Sequence, residues 1–460
     1  MAKLKILNPH DQSLVGELDI STPTDIKRAV DNARRAFGGW RNTSIDERIG
    51  YIRKYRDKIS ENKEEIARLA TLEMGKPIKQ SREDVDFELG FIDYYIENGA
   101  KNLADETVFS EGNENYRVVF EPYGVAAVIA PWNFPLSMAN SGVLPALIVG
   151  NTVVFKPSEY TSMSQKQAIE LLWEAGIPEG VVNFIIGDGE VGRALIDSQI
   201  DFVWFTGSTK TGQEIYKKCG EKFIKAVCEL GGSSAGIVFA DAKLEVTLEN
   251  IFWSRFLNCG QVCSAVKRLF VEKSVYDDIL QKYISRLKKA RMGSPMEEGV
   301  DIGPLVSKKQ LEKLEEQVKD ALAKGAKVEV GGRRPEGKEF ARGNYYEPTI
   351  LTGVNFDMKV MNEEVFGPVL PVMSFETEAE VIEMANRTPY GLTTEVYTSD
   401  MLRGERLARA IESGVVAVNT TSYYRPVCPI GGYKKSGIGR EYGKIGMQEF
   451  AQVKLIAVAR

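Results

Sequence analysis

The chain has 460 residues, 43% of them hydrophobic and 27% charged, with 59 basic side chains against 64 acidic ones. That length predicts two or three domains, each able to close a core; the slight acidic excess excludes the basic stripe of a nucleic-acid binder, and no apolar run reaches the ~18 residues of a membrane span. Five cysteines in so long a chain, and an opening without the basic-then-apolar layout of a secretory leader, predict a soluble cytoplasmic protein with reduced thiols.

Residues 24–104 read as three long amphipathic helical stretches. In TDIKRAVDNARRAF the residues Ile26, Ala29, Val30, Ala33 and Phe37 fall on one face, the spacing of a helix that docks on a sheet. YRVVFEPYG reads as a strand outside the pattern that follows, and GVAAVIAPW and VLPALIVG as short buried segments. NTVVFKPS then leads into SMSQKQAIELLWEAG, GVVNFIIGDG into EVGRALIDS, and DFVWFTGS into TKTGQEIYKKCG. Apolar residues on successive positions suggest strands covered on both faces, and repeated strand–helix units predict an α/β fold with a parallel, doubly wound sheet. A second α/β lobe is expected beyond the ELGGSS turn at 229–234, built from KRLFVEKS, a long helix from about 274 and GVVAVNTTS. The closing EFAQVKLIAVAR is again a strand outside the core, suited to capping a sheet edge or pairing with another subunit.

Two turns offer a seat for phosphate. VVNFIIGDGEVGRALI matches the dinucleotide fingerprint formally through Gly187, Gly189 and Gly192, but Asp188 and Glu190 bring like charge towards a phosphate, and a plain strand-to-helix turn explains it as well. One unit downstream, WFTGSTKTGQEI offers Thr206, Gly207, Ser208 and Lys210 with no acid before Glu214, electrostatically the better seat, although serine and threonine also cap ordinary helices. FKPSE at 155–159 places Lys156 and Glu159 at a strand's C-terminal edge, where open α/β sheets bind ligands.

NCGQVCSA at 258–265 sets Cys259 and Cys263 four apart in a polar turn. The only histidine in the chain is His10, in the opening MAKLKILNPH, so a Cys-His pair or a His-bearing metal site has at most one imidazole to draw on. The base for any nucleophile is therefore expected to be a carboxylate, a lysine or a water, and no metal site is expected.

PWNFP at 131–135, KPSE at 156–159, FTGS at 205–208, ELGG at 229–232, GQVC at 260–263, EEVFGPV at 363–369 and GGYKKSGIGRE at 431–441, in that order, resemble the aldehyde dehydrogenase superfamily over nearly the whole chain. The resemblance implies a Rossmann-type dinucleotide-binding domain from residues 1–105 and 124–231, an α/β catalytic domain at 232–440, and a small β oligomerisation arm at 106–123 and 441–460. It implies Cys263 as the nucleophile and leaves Cys259 without a role; Cys219, Cys228 and Cys428 read as ordinary packing. Attack on an aldehyde would give a thiohemiacetal oxyanion held by Asn133 and the Cys263 N–H, hydride would pass to NAD or NADP, and Glu229 would activate water to hydrolyse the thioester. Trp132, Lys156, Ser158, Glu159, Gly207, Ser208, Glu364 and Phe366 fall on the family's cofactor positions. An acid at 159 favours NAD, since it bonds a ribose hydroxyl and repels a 2′-phosphate.

The short N-terminus, EMGKPIKQSREDV and GQVCSAVKR look most like succinate-semialdehyde dehydrogenases. Those enzymes commonly place an arginine beyond PWNFP to hold the substrate carboxylate, whereas this chain reads LSMANSGVLP, leaving Arg425 of SYYRPVC as the expected substitute. With Arg425 in solvent, a neutral hydroxy- or aliphatic aldehyde becomes the expected substrate, with Trp132, Tyr423 and Tyr424 shaping the mouth. A CoA-acylating relative would have no need of Glu229, and a non-catalytic scaffold none of Cys263, Glu229 and Asn133 together. The resemblance also implies a homodimer or homotetramer joined through strands near 117–121 and 449–459.

Overall fold

The computed structural model of the protein describes residues 2–459. An antiparallel hairpin, Lys3–Leu7 with Leu14–Asp19, precedes the helices. The stretch expected to hold three helices holds four, Pro23–Trp40, Ile45–Glu61, Lys63–Met74 and Ile78–Asn102. The extra break comes at Asn62, which closes one helix and opens the next; Gly75 in the left-handed region (φ 81°), followed by Pro77, makes the break after Met74. The first helix is fixed by a reciprocal Thr22–Asp25 capping box with Pro23 at its first position. Its docking face buries Ile26, Ala29, Val30 and Ala33, while Phe37 is only half-buried and Trp40 takes the place expected for it.

The first large sheet runs in the order Gly437–Ile438, Lys225–Glu229, Phe202–Thr206, Val125–Ile129, Thr152–Lys156, Val182–Phe184, and all its neighbours but the first pair are parallel. Val125–Ile129 and Thr152–Lys156 are buried at every position, as expected of apolar runs covered on both faces. VLPALIVG is not a segment of its own but the second half of a buried helix, Pro135–Val149, that covers one face. The chain builds outward from Val125–Ile129 in one direction, then returns to add Phe202–Thr206 on its other side. The turns after these two neighbours diverge and leave a crevice at their C-terminal ends.

The second large sheet runs Lys327–Val330, Thr349–Thr352, Val369–Phe375, Val266–Glu272, Ser234–Val238, Thr393–Tyr397, Val415–Val418, parallel except at the first pair. The helix expected from about 274 is Tyr276–Leu287. One strand of the first sheet ends at Glu229 and one of the second begins at Ser234, so the chain passes directly from the C-terminal edge of one sheet to the N-terminal edge of the other. Ala451–Ala459, Glu114–Pro122 and Glu106–Glu111 form a separate antiparallel sheet. Among the described residues no helix is long and apolar enough to cross a membrane.

Candidate active site

A cleft of about 480 Å³ opens where the two large sheets meet, and Asn133, Gly207, Cys263, Glu364 and Phe366 all stand on its wall. Cys263 is presented by an unusual turn. Asn258 (φ 50°), Cys259 (φ 56°) and Gly260 (φ 73°) are left-handed in succession, a conformation that costs about 1–3 kcal/mol at each non-glycine residue and persists only when the surroundings fix it. Here they do. The Asn258 N–H donates to Gln80 Oε1 at 2.9 Å, Asn258 Nδ2 donates to the Asn133 carbonyl at 2.9 Å, and the Val306 N–H donates to Gln261 Oε1 at 2.9 Å. Gly260 has no room for a side chain, since a Cβ would stand 2.5 Å from the Gly367 carbonyl oxygen. The turn sends the two cysteines apart: Cys259 is 1% exposed in the core, whereas Cys263 is partly open to the cleft.

Burial pushes the Cys263 thiol up to about 11, aided by Glu364, Glu441 and Glu229 and opposed by the cation of Lys267. Asn133, buried in the loop before the Pro135–Val149 helix, donates from Nδ2 to the Gln261 carbonyl at 3.0 Å, which ties it to the same turn. Glu229 closes its strand with a buried carboxyl whose Oε1 has no hydrogen-bond partner. Burial first, and then Glu441, raise it well above the usual carboxylate range, while Arg440 opposes. Its next neighbours Leu230 and Gly231 line the cleft, but its own side chain turns onto the glycine-rich loop, where a Cβ at Gly431 would come 2.8 Å from Oε1. Glu441 is raised to about 7 by its burial and accepts from Thr206 Oγ1 at 3.0 Å.

The turns at the crevice suit a dinucleotide. Ser208 caps the helix Thr209–Lys222 by accepting from the Thr211 N–H, and the first turn carries no acid to repel a phosphate at the helix N-terminus. Lys156 is 4% exposed and its Nζ donates to the Pro157 carbonyl at 2.9 Å; burial lowers its pKa while Glu159 and Asp188 oppose. Ser158 is buried and Glu159 half-buried beside it. Gly192 of the formal fingerprint packs against the Lys156 stem, 3.5 Å from a would-be Cβ to Cδ, and Asp188 caps the next helix by accepting from the Glu190 N–H. Phe366 meets Trp132 edge-on at 5.5 Å, and Glu364 Oε1 accepts from the Gly232 N–H at 3.0 Å.

A family model, the aldehyde dehydrogenase family, matches residues 2–456. The chain belongs to the aldehyde dehydrogenase family. The betaine aldehyde dehydrogenase of Bacillus subtilis is 39% identical over 98% of this chain and 92% of its own length, and the NADP(+)-dependent succinate-semialdehyde dehydrogenase of Escherichia coli is 36% identical over 99% and 94%. The betaine aldehyde dehydrogenase of Staphylococcus aureus, solved with NAD+, superposes with a TM-score of 0.96 at 36% identity, covering 100% of this chain and 92% of that one. The protein is accordingly an NAD(P)-dependent aldehyde dehydrogenase with the family's α/β fold.

Within this aldehyde dehydrogenase one expected residue is misplaced and two were overlooked. Arg425 does not stand on the cleft wall: it is exposed, and its Nε donates to the Ser422 carbonyl at 3.2 Å, because the loop turns Tyr423 and Tyr424 inward in its stead. Lys267 is fully buried and donates to the Cys263 carbonyl at 2.7 Å, the Gly232 carbonyl at 2.9 Å and Glu364 Oε1 at 2.9 Å. A lysine four residues beyond the thiol, second in the strand Val266–Glu272 that is buried from its first residue, was the signal for it. Glu395 lies 1% exposed on the wall of the cleft, and its signal was the single acid inside the β-branched, fully buried strand TTEVY.

Proposed function

We propose that this chain oxidises a small aldehyde whose tail carries no carboxylate, using Cys263 as nucleophile, and releases the acid by hydrolysis. The observation that carries the reading is the composition of the cleft: Cys263 and Asn133 share it with Trp132, Trp253, Tyr423 and Tyr424, and among the described residues no arginine lines it and its one lysine, Lys313, is exposed. A substrate carboxylate entering there would shed water without a buried cation to replace it, which is strongly unfavourable.

Each residue's part follows from its placement. Loss of the Cys263 proton makes the thiolate that adds to the aldehyde carbon. Asn133 Nδ2 and the Cys263 N–H donate to the oxyanion that develops, from positions set before the aldehyde arrives. Lys267 and Glu364 hold the Cys263 carbonyl and the Gly232 N–H, and so fix the thiol loop against the second sheet. Ser208 with Gly207 would hold the pyrophosphate, Lys156, Ser158 and Glu159 the adenine-side ribose, and Glu364, Phe366 and Trp132 the nicotinamide end. When bound there, the cofactor supplies a hydride acceptor and a positive charge near the thiol. Glu159 at the ribose favours NAD. Glu229, whose carboxyl is raised by burial on the glycine-rich loop, would swing towards the thioester, lose its proton to solvent as it leaves that buried place, and as the carboxylate take a proton from water; its unpaired Oε1 has no bond to break when it moves. That role distinguishes a hydrolytic enzyme from a CoA-acylating one.

A second reading, succinate semialdehyde, draws on Lys313 at the rim and on the 36% identical E. coli relative. Initial rates of NADH formation with butanal and succinate semialdehyde, for wild type and Cys263→Ala, decide between them. Butanal is expected to win in kcat/KM, and Cys263→Ala to abolish turnover by a factor of about 10⁴ or more, the scale on which loss of a covalent nucleophile is felt. Preference for succinate semialdehyde would overturn the proposal. The arm supports assembly into dimers or tetramers, since Val453, Leu455 and Val458 stand exposed on its strand Ala451–Ala459; sedimentation equilibrium is expected to show no monomer at micromolar protein.

A further inference from the structure

The wall of the cleft contains a carboxylate that the oxidation chemistry does not use. Glu395 is the third residue of the strand Thr393–Tyr397, inside the second sheet, and is 1% exposed. Its Oε1 accepts from Ser254 Oγ at 2.7 Å and its Oε2 from the Tyr397 hydroxyl at 2.7 Å. Ser254 and Glu395 both stand on the cleft wall, next to Trp253 and Tyr423. Among the described residues no lysine or arginine pairs with Glu395, and the titratable groups that feel its charge, Tyr397, Tyr423 and Tyr283, are neutral phenols.

Two neutral donors are a partial recompense for taking a carboxylate out of water. Each oxygen keeps a free lone pair, and the charge has no counter-ion; burial accordingly raises the group to about 7. A strand interior is a costly place for such a side chain, and an apolar or small residue would serve the sheet better. The walls around it are the kind that accept a cation: the rings of Tyr423 and Tyr424 lie 5.2 Å apart, and the Trp253 indole is 38% exposed. Aromatic faces attract ammonium groups, and do so more strongly away from water.

We propose that Glu395 receives the far end of the substrate, and that this end is a protonated amine, making the chain an oxidiser of short aminoaldehydes. This rests on the reading of the cleft as the site of an aldehyde without a carboxylate. The ammonium supplies both things that Glu395 lacks, an N–H donor for a free lone pair and a positive charge. A quaternary ammonium supplies only the charge, and a hydroxyl only the donor.

The test compares the wild-type holoenzyme with Glu395→Gln, using NAD and three aldehydes of similar length: 3-aminopropanal, butanal and succinate semialdehyde. Wild type is expected to favour 3-aminopropanal over butanal by about tenfold or more in kcat/KM, and Glu395→Gln to lose that ratio, since a charge-assisted hydrogen bond is worth at least about a factor of ten. Independently of any variant, propylammonium is expected to inhibit wild-type butanal oxidation competitively and more strongly than propanol or propanoate. Equal ratios in the two proteins would overturn the proposal, as would stronger inhibition by propanol, which would assign a hydroxyl tail. Turnover of butanal without amine preference would sink this inference alone, whereas turnover confined to succinate semialdehyde would sink the underlying reading with it.

Discussion

At the cofactor edge of the cleft the groups arrive in contiguous turns. Pro131–Asn133 follows one strand of the first sheet and Thr206–Ser208 follows its neighbour, and each turn carries its own donors. At the substrate mouth they arrive singly: Trp253 and Ser254 from the helix Leu244–Phe256, Glu395 from inside a strand, Tyr423 and Tyr424 from a loop. The first region is set by local backbone geometry at a topological switch point. The second depends on which side chains the packing of the second sheet leaves facing the gap. A cofactor common to many enzymes suits the first construction, and a substrate that differs between them suits the second.

The largest effect that would sharpen this contrast lies at Asn133, where the two regions touch. On the proposed mechanism Asn133→Ala removes one donor to the oxyanion, and it is expected to lower kcat by about 10²–10³, the scale seen when an oxyanion-hole side chain is deleted. NADH binding, read by fluorescence titration, is expected to stay within about twofold. A loss of NADH affinity matching the loss of rate would instead assign Asn133 to the cofactor.

Next comes the turn that separates the two cysteines. Gly260→Ala must accept φ 73° and a Cβ placed 2.5 Å from the Gly367 carbonyl, and is expected to lower stability by about 2 kcal/mol or more and to misplace Cys263. Urea unfolding with Tm as a cross-check measures the first effect; alkylation of Cys263 by iodoacetamide, mapped by mass spectrometry, measures the second. An unchanged unfolding midpoint would mean that the turn is less constrained than its hydrogen bonds imply.

The smallest effect is a rate. With burial holding Cys263 up to about 11, its thiolate fraction in the cofactor-free enzyme rises about tenfold for each pH unit between pH 7 and 9, because the thiolate is the reactive form. Iodoacetamide labelling is expected to follow that slope at Cys263. Cys259, buried and pushed up to about 12, is expected to stay unlabelled in the folded protein. Labelling of Cys263 at a rate independent of pH would show a thiol already ionised at neutral pH and would place a stronger cation beside it.

How far the sequence could be read follows the same division. The strand–helix alternation, the crossing at 229–234 and the turn bearing Gly207 and Ser208 were legible, because each is a local pattern whose residues are neighbours in the chain; Asn133 was singled out only through the family resemblance of PWNFP. The break at Asn62 was not, since the helical spacing continues across it. Lys267 carries no motif of its own, and only the fold draws Glu364, 97 residues away, against it. Arg425 was misjudged because a loop's facing depends on what its neighbours bury, and two tyrosines bury better than a guanidinium. Glu395 was overlooked for a related reason: a lone acid in a buried strand carries no motif, and only the packing of the Leu244–Phe256 helix beside it, which brings Ser254 to its carboxylate, makes it part of a cleft.

On the proposed mechanism Cys263, rather than its neighbour in the same turn, carries the substrate's acyl group. Glu229→Gln should accumulate that species by slowing hydrolysis. The decisive measurement is mass spectrometry of this variant, quenched in acid after mixing with butanal and NAD and then digested. A butanoyl mass on the peptide containing Cys263, localised to that sulfur by fragmentation and absent from Cys263→Ala, is the predicted result. NADH formation with no acyl adduct, or with the adduct on Cys259, would contradict it.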